Sequence, residues 1–225
     1  MQCTRQRMKL SHALLVAALA LGACATQPRS PSATAESAWV ELFDGHTLDG
    51  WTTVGGRYDG HATWTVEDGA ITGREGPGRA GGLLYTRELY TDFEFECQVA
   101  LEWPFDSGVF LRMAPEGRGA QVTLDYRPDG EIAALYSDGY LQHNPTAIEH
   151  LARSGWNHLR VRCEGSEMHV QAWLNGANVL DFQLPAGSQG FAPTGRIGIQ
   201  VHGDSQSPPG TKVQYRALRV RRLGR

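Results

Sequence analysis

The amino-acid sequence predicts an all-β domain built of short antiparallel strands. Its turn signals are dense, because Asp-Gly dipeptides begin at positions 44, 49, 59, 68, 129 and 138, and Asn-Gly begins at 175. These dipeptides favour the positive φ angles of tight hairpin turns. The runs between them alternate apolar with polar residues, as strands with one buried face do. Antiparallel sandwiches and barrels both show this pattern, and the composition does not choose between them.

The N-terminal segment, residues 1–23, has the features of a secretory signal. Three basic residues precede a short apolar run at 13–21, which is too short to span a bilayer as a helix. Residues 21–24, Leu-Gly-Ala-Cys, then resemble a bacterial lipobox, which implies cleavage before Cys24 and lipid on that cysteine. The alternative is an ordinary signal peptide with a chance cysteine. Ala25 occupies the position where an inner-membrane retention signal would place Asp, so the lipobox reading favours an outer-membrane anchor facing the periplasm.

Residues 24–37 are small, polar and proline-bearing, which predicts a flexible tether after the lipidated cysteine. Residues 38–225 then suit one large β domain, with no internal repeat and no second linker. Helical periodicity is nearly absent there, although Thr146 to Arg153 is compatible with one short helix. The arginines between positions 216 and 225 are expected on a solvated edge strand.

The charge balance argues against a nucleic-acid partner. The leader carries three of the 21 basic residues and no acidic one, so the rest of the chain has 18 basic and 24 acidic side chains, a net charge of −6. Nucleic-acid binding needs a basic face to neutralise phosphates. The sequence gives no indication of the oligomeric state.

Cys97 and Cys163 both lie on the apolar phase of strand-like runs. An exported protein meets an oxidising compartment, so a disulfide between them is compatible with the sequence. Two separate buried thiols that pack as small hydrophobic groups are equally compatible, because the sequence does not show whether the two strands are neighbours.

Three strand-like runs place polar and aromatic side chains on the phase opposite to their apolar residues. These side chains are Phe110 and Arg112 in the first run, Gln121, Thr123 and Asp125 in the second, and Gln200 and His202 in the third. If this phase forms the outer face of a sheet, the side chains converge on one surface. Fixed hydrogen-bonding groups beside flat apolar surfaces are what sugar recognition requires.

The ordered motifs of the chain resemble the 3-keto-disaccharide hydrolase family from Trp39 to about Leu223. They are Leu42–Trp51, Trp64–Gly69, Asp106–Arg112, Trp156–Asn157, Asn175–Gly176, Gly195–His202 and Val213–Arg216. The resemblance implies a concanavalin-like jelly roll, an antiparallel two-sheet sandwich that acts on oxidised sugars. In that chemistry a ketone at C3 acidifies the C2 hydrogen, a base removes it, and the enolate expels the glycosidic oxygen from C1 before water adds back.

On this sequence, Asp125 and His202 are the candidate acid and base. Arg112, Gln121, Tyr136 and Gln200 are the candidates for binding an oxidised glucoside or disaccharide. The sequence identifies no cofactor with certainty, and it leaves a divalent metal open, since Asp106, Asp125 and His202 offer suitable ligands.

The chain departs from the family pattern in the middle run, where Gln121 and Thr123 stand in place of Glu and Gln, and at Asp106, where the family has Asn. An amide does not titrate, so Gln121 does not serve as a base. A non-catalytic carbohydrate-binding lipoprotein on the same fold is therefore the alternative to an enzyme.

Overall fold

The computed structural model describes residues 37–203 and 206–224. These residues belong to one compact unit that spans Thr34–Arg225. The signal segment and the anchoring cysteine predicted at Cys24 lie outside the described residues. Among those that are described, no helix has the length and apolar character needed to cross a membrane.

The described chain folds into two antiparallel sheets, so the all-β two-sheet sandwich predicted for it is confirmed. The first, eight-stranded sheet has the order β13-β12-β11-β6-β15-β4-β3, and β1 pairs with part of β15. Its strands are β1 (Val40–Glu41), β3 (Thr63–Glu67), β4 (Ala70–Arg74), β6 (Phe93–Leu101), β11 (Asn157–Glu164), β12 (His169–Leu174), β13 (Ala177–Gln183) and β15 (Lys212–Arg222).

The second, seven-stranded sheet has the order β10-β9-β8-β7-β14-β5-β2. Its strands are β2 (Trp51–Thr52), β5 (Gly82–Thr86), β7 (Phe105–Met113), β8 (Ala120–Tyr126), β9 (Ile132–Tyr136), β10 (Tyr140–Gln142) and β14 (Arg196–Val201). Neighbours within this sheet come from distant parts of the chain, so side chains far apart in sequence share its faces.

The core lies between the two sheets and follows the strand alternation predicted from the sequence. β8 contributes Ala120, Val122 and Leu124 to it, and β14 contributes Ile197, Ile199 and Val201. Burial of these aliphatic side chains stabilises the sandwich by roughly 1.5–3 kcal/mol for each large one. The polar residues that alternate with them must therefore point to the outer face of the seven-stranded sheet.

The hairpin of β12 and β13 shows how the turn dipeptides fix the register. Asn175 and Gly176 both adopt positive φ angles, 51° and 88°, which is the conformation that a two-residue hairpin turn requires. The pairing of Leu174 with Ala177 across this turn follows from it.

One expectation about local structure is wrong. The arginine-rich end forms β15, which lies inside the eight-stranded sheet between β6 and β4 rather than at its edge. Its arginines are accommodated because Glu94 and Glu96 of β6 pair with Arg221 and Arg219 across the strands. A short helix is present within residues 146–153, but it is a 3₁₀ helix limited to Ala147–His150, and it leads into an extended Leu151.

Of the two alternatives for Cys97 and Cys163, the structure has the two separate buried thiols and no disulfide between them. They do lie on neighbouring strands, but Cys97 pairs with Leu159 and Cys163 pairs with Phe93. The register therefore separates them by four residues along the strands, or about 14 Å, which a disulfide does not bridge. Burial raises the pKa of the Cys163 thiol to about 12 and also raises that of Cys97, so both are inert packing residues.

Candidate functional site

A cleft of about 640 Å³ lies on the outer face of the seven-stranded sheet. Its floor comes from β7, β8 and β14. One wall comes from residues 57–59 and 81–83, and the other from the end of β9 and the start of β10. The outward phases of β8 and β14 both open into it, so Gln121, Asp125, Gln200 and His202 are brought together as the sequence analysis expected.

At one end of the cleft, two carboxylates share one guanidinium. Asp106 of β7 and Asp125 of β8 are direct cross-strand partners. The Arg127 Nη2 lies 2.8 Å from Asp106 Oδ2, and its Nε and Nη2 each donate to Asp125 at 2.7 Å. The bidentate contact makes the Arg127–Asp125 pair the stronger of the two. We refer to Asp106, Asp125, Arg127 and His202 as the polar cluster.

Local sequence builds this arrangement. Asp125 is the last but one residue of β8, and its Oδ1 also accepts the backbone N–H of Arg127, as an aspartate before a turn does. The turn closes through Gly130, whose N–H donates to the Arg127 carbonyl. A Cβ at position 130 would lie 2.5 Å from the Asp125 Cγ, so only glycine leaves room for the carboxylate.

Asp106 is the carboxyl group of the cluster with a raised pKa. Burial is the main cause and the charge of Asp125 is the second, and with His202 and Arg127 acting in the opposite direction the pKa is about 6. A carboxyl group with a pKa near 6 exchanges protons readily close to neutral pH. Asp125 has its carboxylate engaged by Arg127, so Asp106 is better suited than Asp125 to transfer a proton.

His202 completes the cluster from β14. Its backbone N–H donates to the Asp106 carbonyl at 3.2 Å, which fixes the end of β14 beside β7. Its Nε2 lies 3.9 Å from Asp106 Oδ2, and its side chain is 45% exposed. The imidazole therefore lies between the buried carboxyl group and the open cleft, where it is accessible to solvent.

Two glutamines form the middle of the cleft floor. The Nε2 of Gln121 donates to Gln200 Oε1 at 2.6 Å and to the Ser107 carbonyl at 3.3 Å. Because its Oε1 accepts this hydrogen bond, Gln200 has its Nε2 as the remaining side-chain group of a residue that lines the cleft. The Gln121 amide lies over Gly108, where a Cβ would approach Nε2 to 2.1 Å.

Aromatic side chains line the wall formed by β9 and β10. Tyr136 and Tyr140 are 37% and 40% exposed, and their rings meet edge to face with centroids 5.3 Å apart. Exposed aromatic rings beside polar groups provide flat apolar contact surfaces. Tyr136 was predicted as a binding residue, and it lines the cleft.

Arg112 does not lie in the cleft, contrary to its predicted role. β7 carries one extra residue relative to β14 at this point, and Arg112 has a φ of 49°. This bulge reverses the side-chain alternation. Arg112 is 1% exposed, and its guanidinium donates to the Thr91 and Gly165 carbonyls and to Asp92. It is a buried structural residue that connects β7 to loops of the other sheet.

The described residues offer no group of three His, Cys, Asp or Glu side chains that could hold a metal ion. Asp106, Asp125 and His202 were the metal-ligand candidates, but the Arg127 guanidinium occupies the space between the two carboxylates. A cation there would meet the positive charge of that guanidinium. The donor set therefore does not fit a metal ion.

Sequence reasoning missed several residues that line the cleft, among them Arg127 and Tyr140. Arg127 follows β8 in a turn and carries no strand alternation, so no periodic signal indicated it. Tyr140 lies on a three-residue strand too short to show a pattern. The Pro-Asp-Gly at 128–130 was a usable signal, because it predicts a tight turn that returns Arg127 toward the end of β8.

Comparison with known proteins agrees with this architecture. A family model described as the 3-keto-alpha-glucoside-1,2-lyase-like domain matches residues 38–221. No curated protein matches the chain.

Solved structures with the same fold are distant in sequence. A protein from Parabacteroides distasonis ATCC 8503 assigned as a glycosyl hydrolase is 20% identical and superposes with a TM-score of 0.58, over 83% of this chain and 94% of that one. A Bacillus subtilis protein with a galectin-like fold is 15% identical, with a TM-score of 0.56 over 83% and 95%. Lectin I-B4 from Griffonia simplicifolia is 9% identical, with a TM-score of 0.54 over 83% and 100%. These likenesses establish the jelly-roll fold.

Proposed function

The chain belongs to the 3-keto-alpha-glucoside-1,2-lyase-like family, and from this premise we propose that it cleaves 3-keto-glycosides by elimination followed by hydration. The observation that carries the proposal is the pairing of Asp106 with His202 in a cleft that also presents amide donors and exposed aromatic rings. One buried titratable carboxyl group beside an accessible imidazole suits a reaction that moves two protons.

The reaction needs no oxidant. A base takes the proton from C2, whose acidity the neighbouring C3 ketone raises, and the electron pair of the C2–H bond passes to the ketone oxygen. The resulting enolate expels the glycosidic oxygen from C1, and that oxygen receives a proton. Water then adds to the C1–C2 double bond, with hydroxide at C1 and a proton at C2, so the net change is hydrolysis.

We assign the base to Asp106 and the acid to His202. A carboxyl group with a pKa of about 6 is largely ionised at neutral pH yet more basic than an ordinary aspartate. His202 faces the open cleft and can regain its proton from solvent. We assign to the Gln200 amide the role of donor to the ketone oxygen as negative charge develops there, and the support for this is that Gln121 holds the amide in position.

For Asp125 we propose a role other than the acid–base role expected from sequence: it holds Arg127, which in turn holds Asp106 in the cleft. Ordinary glycoside hydrolysis places two carboxylates on either side of the scissile bond. Here Arg127 bridges Asp106 and Asp125, so a sugar does not fit between them. This geometry favours the elimination route over the two-carboxylate route.

The test is turnover by the full chain of a 3-keto-glucoside and of the matching unoxidised glucoside. We expect cleavage of the oxidised compound alone, with exchange of the C2 hydrogen for solvent deuterium. Asp106→Asn and His202→Gln should each lower kcat by about 10²–10⁴-fold, which is the usual contribution of a positioned proton-transfer group.

Asp181→Asn is the matched control, because Asp181 lies on β13 of the other sheet and is 55% exposed. It should retain full activity. Equal cleavage of the two glucosides would contradict the mechanism. Full activity of both Asp106→Asn and His202→Gln would contradict the assignment of base and acid.

A second candidate function is carbohydrate binding without catalysis. It is favoured by Gln121, which places an untitratable amide at the centre of the floor, and by the exposed pair Tyr136 and Tyr140. Calorimetric binding of a 3-keto-glucoside with no turnover would select it.

We also propose that the protein is a lipoprotein, anchored through Cys24 and facing the periplasm from the outer membrane. The support is the Leu-Gly-Ala-Cys run at 21–24, followed by Ala25 and a polar tether. A lipidated N-terminal cysteine holds a folded domain at a membrane without a spanning helix.

A further inference from the structure

A short segment, residues 55–59, crosses the outer face of the seven-stranded sheet, and we refer to it as the strap. Its base is fixed internally, because the two Asp59 carboxylate oxygens accept the N–H groups of Gly55 and Gly56 at 2.9 Å each. The backbone N–H of Tyr58 donates to the Tyr85 hydroxyl on β5 at 3.1 Å. Gly56 lies against the Tyr85 ring, where a Cβ would come within 2.3 Å of it.

The strap rests on a small apolar cluster that is separate from the main core. This cluster consists of Leu83, Tyr85, Phe110 and Met113, and Tyr58 packs on it. The Tyr58 and Phe110 ring centroids are 5.6 Å apart. Burial of these apolar side chains gives the segment a stable position over β7.

The tip of the strap reaches the turn that joins β9 to β10. Arg57 Nη1 donates to Asp138 Oδ2 at 3.1 Å, and the Tyr58 hydroxyl donates to Asp138 Oδ1 at 3.1 Å. β5 and β9 are four steps apart in the sheet, or about 19 Å at the usual strand spacing. The strap therefore closes the whole width of the cleft at this end.

The polar cluster lies at the opposite end of the same cleft. Phe110 beneath the strap and Asp106 in the cluster are four residues apart on β7, about 14 Å along the strand. The side chains of Tyr58 and Phe110 and the carboxylates fill part of this distance. The space that remains suits one sugar ring, with Gln121 and Gln200 beneath it.

We propose that the strap makes the cleft a site for a terminal sugar. With C1 of the oxidised ring at Asp106 and His202, the far side of that ring, which carries O4, faces Arg57, Tyr58 and Asp138. The leaving group extends out of the cleft past the polar cluster. An oxidised ring that bears another sugar on O4 collides with the strap. This inference rests on the proposed function and specifies its substrates as glycosides whose oxidised unit ends the chain.

The contacts of the tip are weak enough to test by mutation. Arg57 and Asp138 are 36% and 43% exposed, and exposed ion pairs contribute little to stability. Asp138→Ala removes the partner of both Arg57 and Tyr58 and an ion-pair contact of Arg118. Arg57→Ala removes the ion pair with Asp138 and the hydrogen bond to the Gly117 carbonyl. Neither change reaches the apolar cluster beneath the strap, so both variants are expected to fold.

The experiment compares two substrates of the full chain. One is a nitrophenyl 3-keto-glucoside, and the other is the same compound with a glucosyl group on O4 of the oxidised ring. The natural sequence should prefer the first by at least about tenfold in kcat/KM, as steric exclusion of an extra group produces. Asp138→Ala and Arg57→Ala should reduce that preference, whereas Asp181→Ala on the other sheet should leave it unchanged.

Equal use of both substrates by the natural sequence would overturn the inference, as would an unchanged preference in both strap variants. Calorimetric binding of the two unoxidised glucosides separates this failure from failure of the proposed reaction. Discrimination in binding without turnover of the keto compounds would leave the strap inference standing and reject the reaction. Turnover of both keto compounds without discrimination would leave the proposed reaction standing and reject the strap inference. Absence of binding by every glucoside would reject the strap inference and the proposed reaction together.

Discussion

The charged form of Asp106 lowers the free energy of unfolding, and neighbouring groups in the cleft keep this loss small. Its carboxyl group is nearly excluded from water, and a second carboxylate lies directly across the strand pair. Both features disfavour its charged form. The Arg127 guanidinium offsets part of this effect at 2.8 Å. At neutral pH the ionised Asp106 therefore lowers the free energy of unfolding, and its raised pKa lies in the range that suits a catalytic base.

The raised pKa of Asp106 predicts how the free energy of unfolding depends on pH. The ordinary pKa of Asp106 is 3.8 and its folded value is about 6, so the folded chain binds the proton more tightly than the unfolded chain. Its charge therefore costs nothing at low pH, and stability declines as pH rises from about 4 to 6. Asp106→Asn removes this decline. Its unfolding free energy minus that of the natural sequence, measured in urea, should rise by up to about 3 kcal/mol across this window.

Asp181 provides a control, because its pKa is shifted in the direction opposite to that of Asp106. Hydrogen bonds from His169 and Gln171 lower its pKa below the ordinary value of 3.8. Its contribution to stability is therefore present above that value and lost as pH falls below it. Asp181→Asn should leave the difference flat between pH 4 and 6. A flat difference for Asp106→Asn as well would contradict the raised pKa of Asp106.

At the scale of the strands, the alternation of β8 and β14 places the whole floor of the cleft. Gly108 of β7 lies under the Gln121 amide, and β7 leaves just enough space for it. The Gln121–Gln200 contact at 2.6 Å depends on this gap, since any side chain at position 108 occupies the place of Nε2. A residue without chemistry of its own thus determines where the amide donors lie.

Gly108→Ala should therefore weaken ligand binding without unfolding the domain. The backbone at 108 does not have the positive φ that favours glycine, and Gln121 is able to move aside. Loss of one positioned amide contact corresponds to about 2- to 10-fold in the affinity for a 3-keto-glucoside, measured by calorimetry.

A double-mutant cycle checks the physical reason. If Gly108→Ala acts by displacing Gln121, then Gln121→Ala alone should weaken binding to the same extent, and the combined variant should be no worse than either. Additive losses would mean that the alanine disturbs the cleft in another way. A large fall in melting temperature would mean that the strand itself is distorted.

The same strands show which features of the site can be predicted from the sequence and which cannot. Alternation placed Gln121, Asp125, Gln200 and His202 on one face because a strand of regular geometry repeats every two residues. The cleft position predicted for Arg112 is wrong because the bulge in β7 adds one residue, and no residue type in the sequence indicates that bulge. The register of β6 against β11, which separates Cys97 from Cys163, depends on long-range pairing that local pattern does not encode.

At the scale of the whole molecule, the outer faces of the two sheets differ in character. Charged pairs and arginine–tryptophan contacts cover the outer face of the eight-stranded sheet, such as Arg160 over Trp173 at 3.9 Å and Arg219 with Glu96 at 2.6 Å. Of these two outer faces, that of the seven-stranded sheet carries the cleft. All four residues of its polar cluster lie in the described part of the chain. We therefore expect the proposed binding and catalysis to be independent of the N-terminal segment.

This independence predicts that anchoring and activity separate. Cys24→Ser removes the sulfur that would carry the lipid, so the expressed full chain should move from the detergent phase to the aqueous phase on phase separation, and should lose incorporation of labelled fatty acid. Its kcat/KM on a soluble 3-keto-glucoside should stay unchanged, because Asp106, His202 and the glutamines are untouched. A Cys24→Ser variant that remains in the detergent phase would contradict the lipid anchor. A variant that leaves the detergent phase but loses activity would contradict the independence of the cleft from the N-terminal segment.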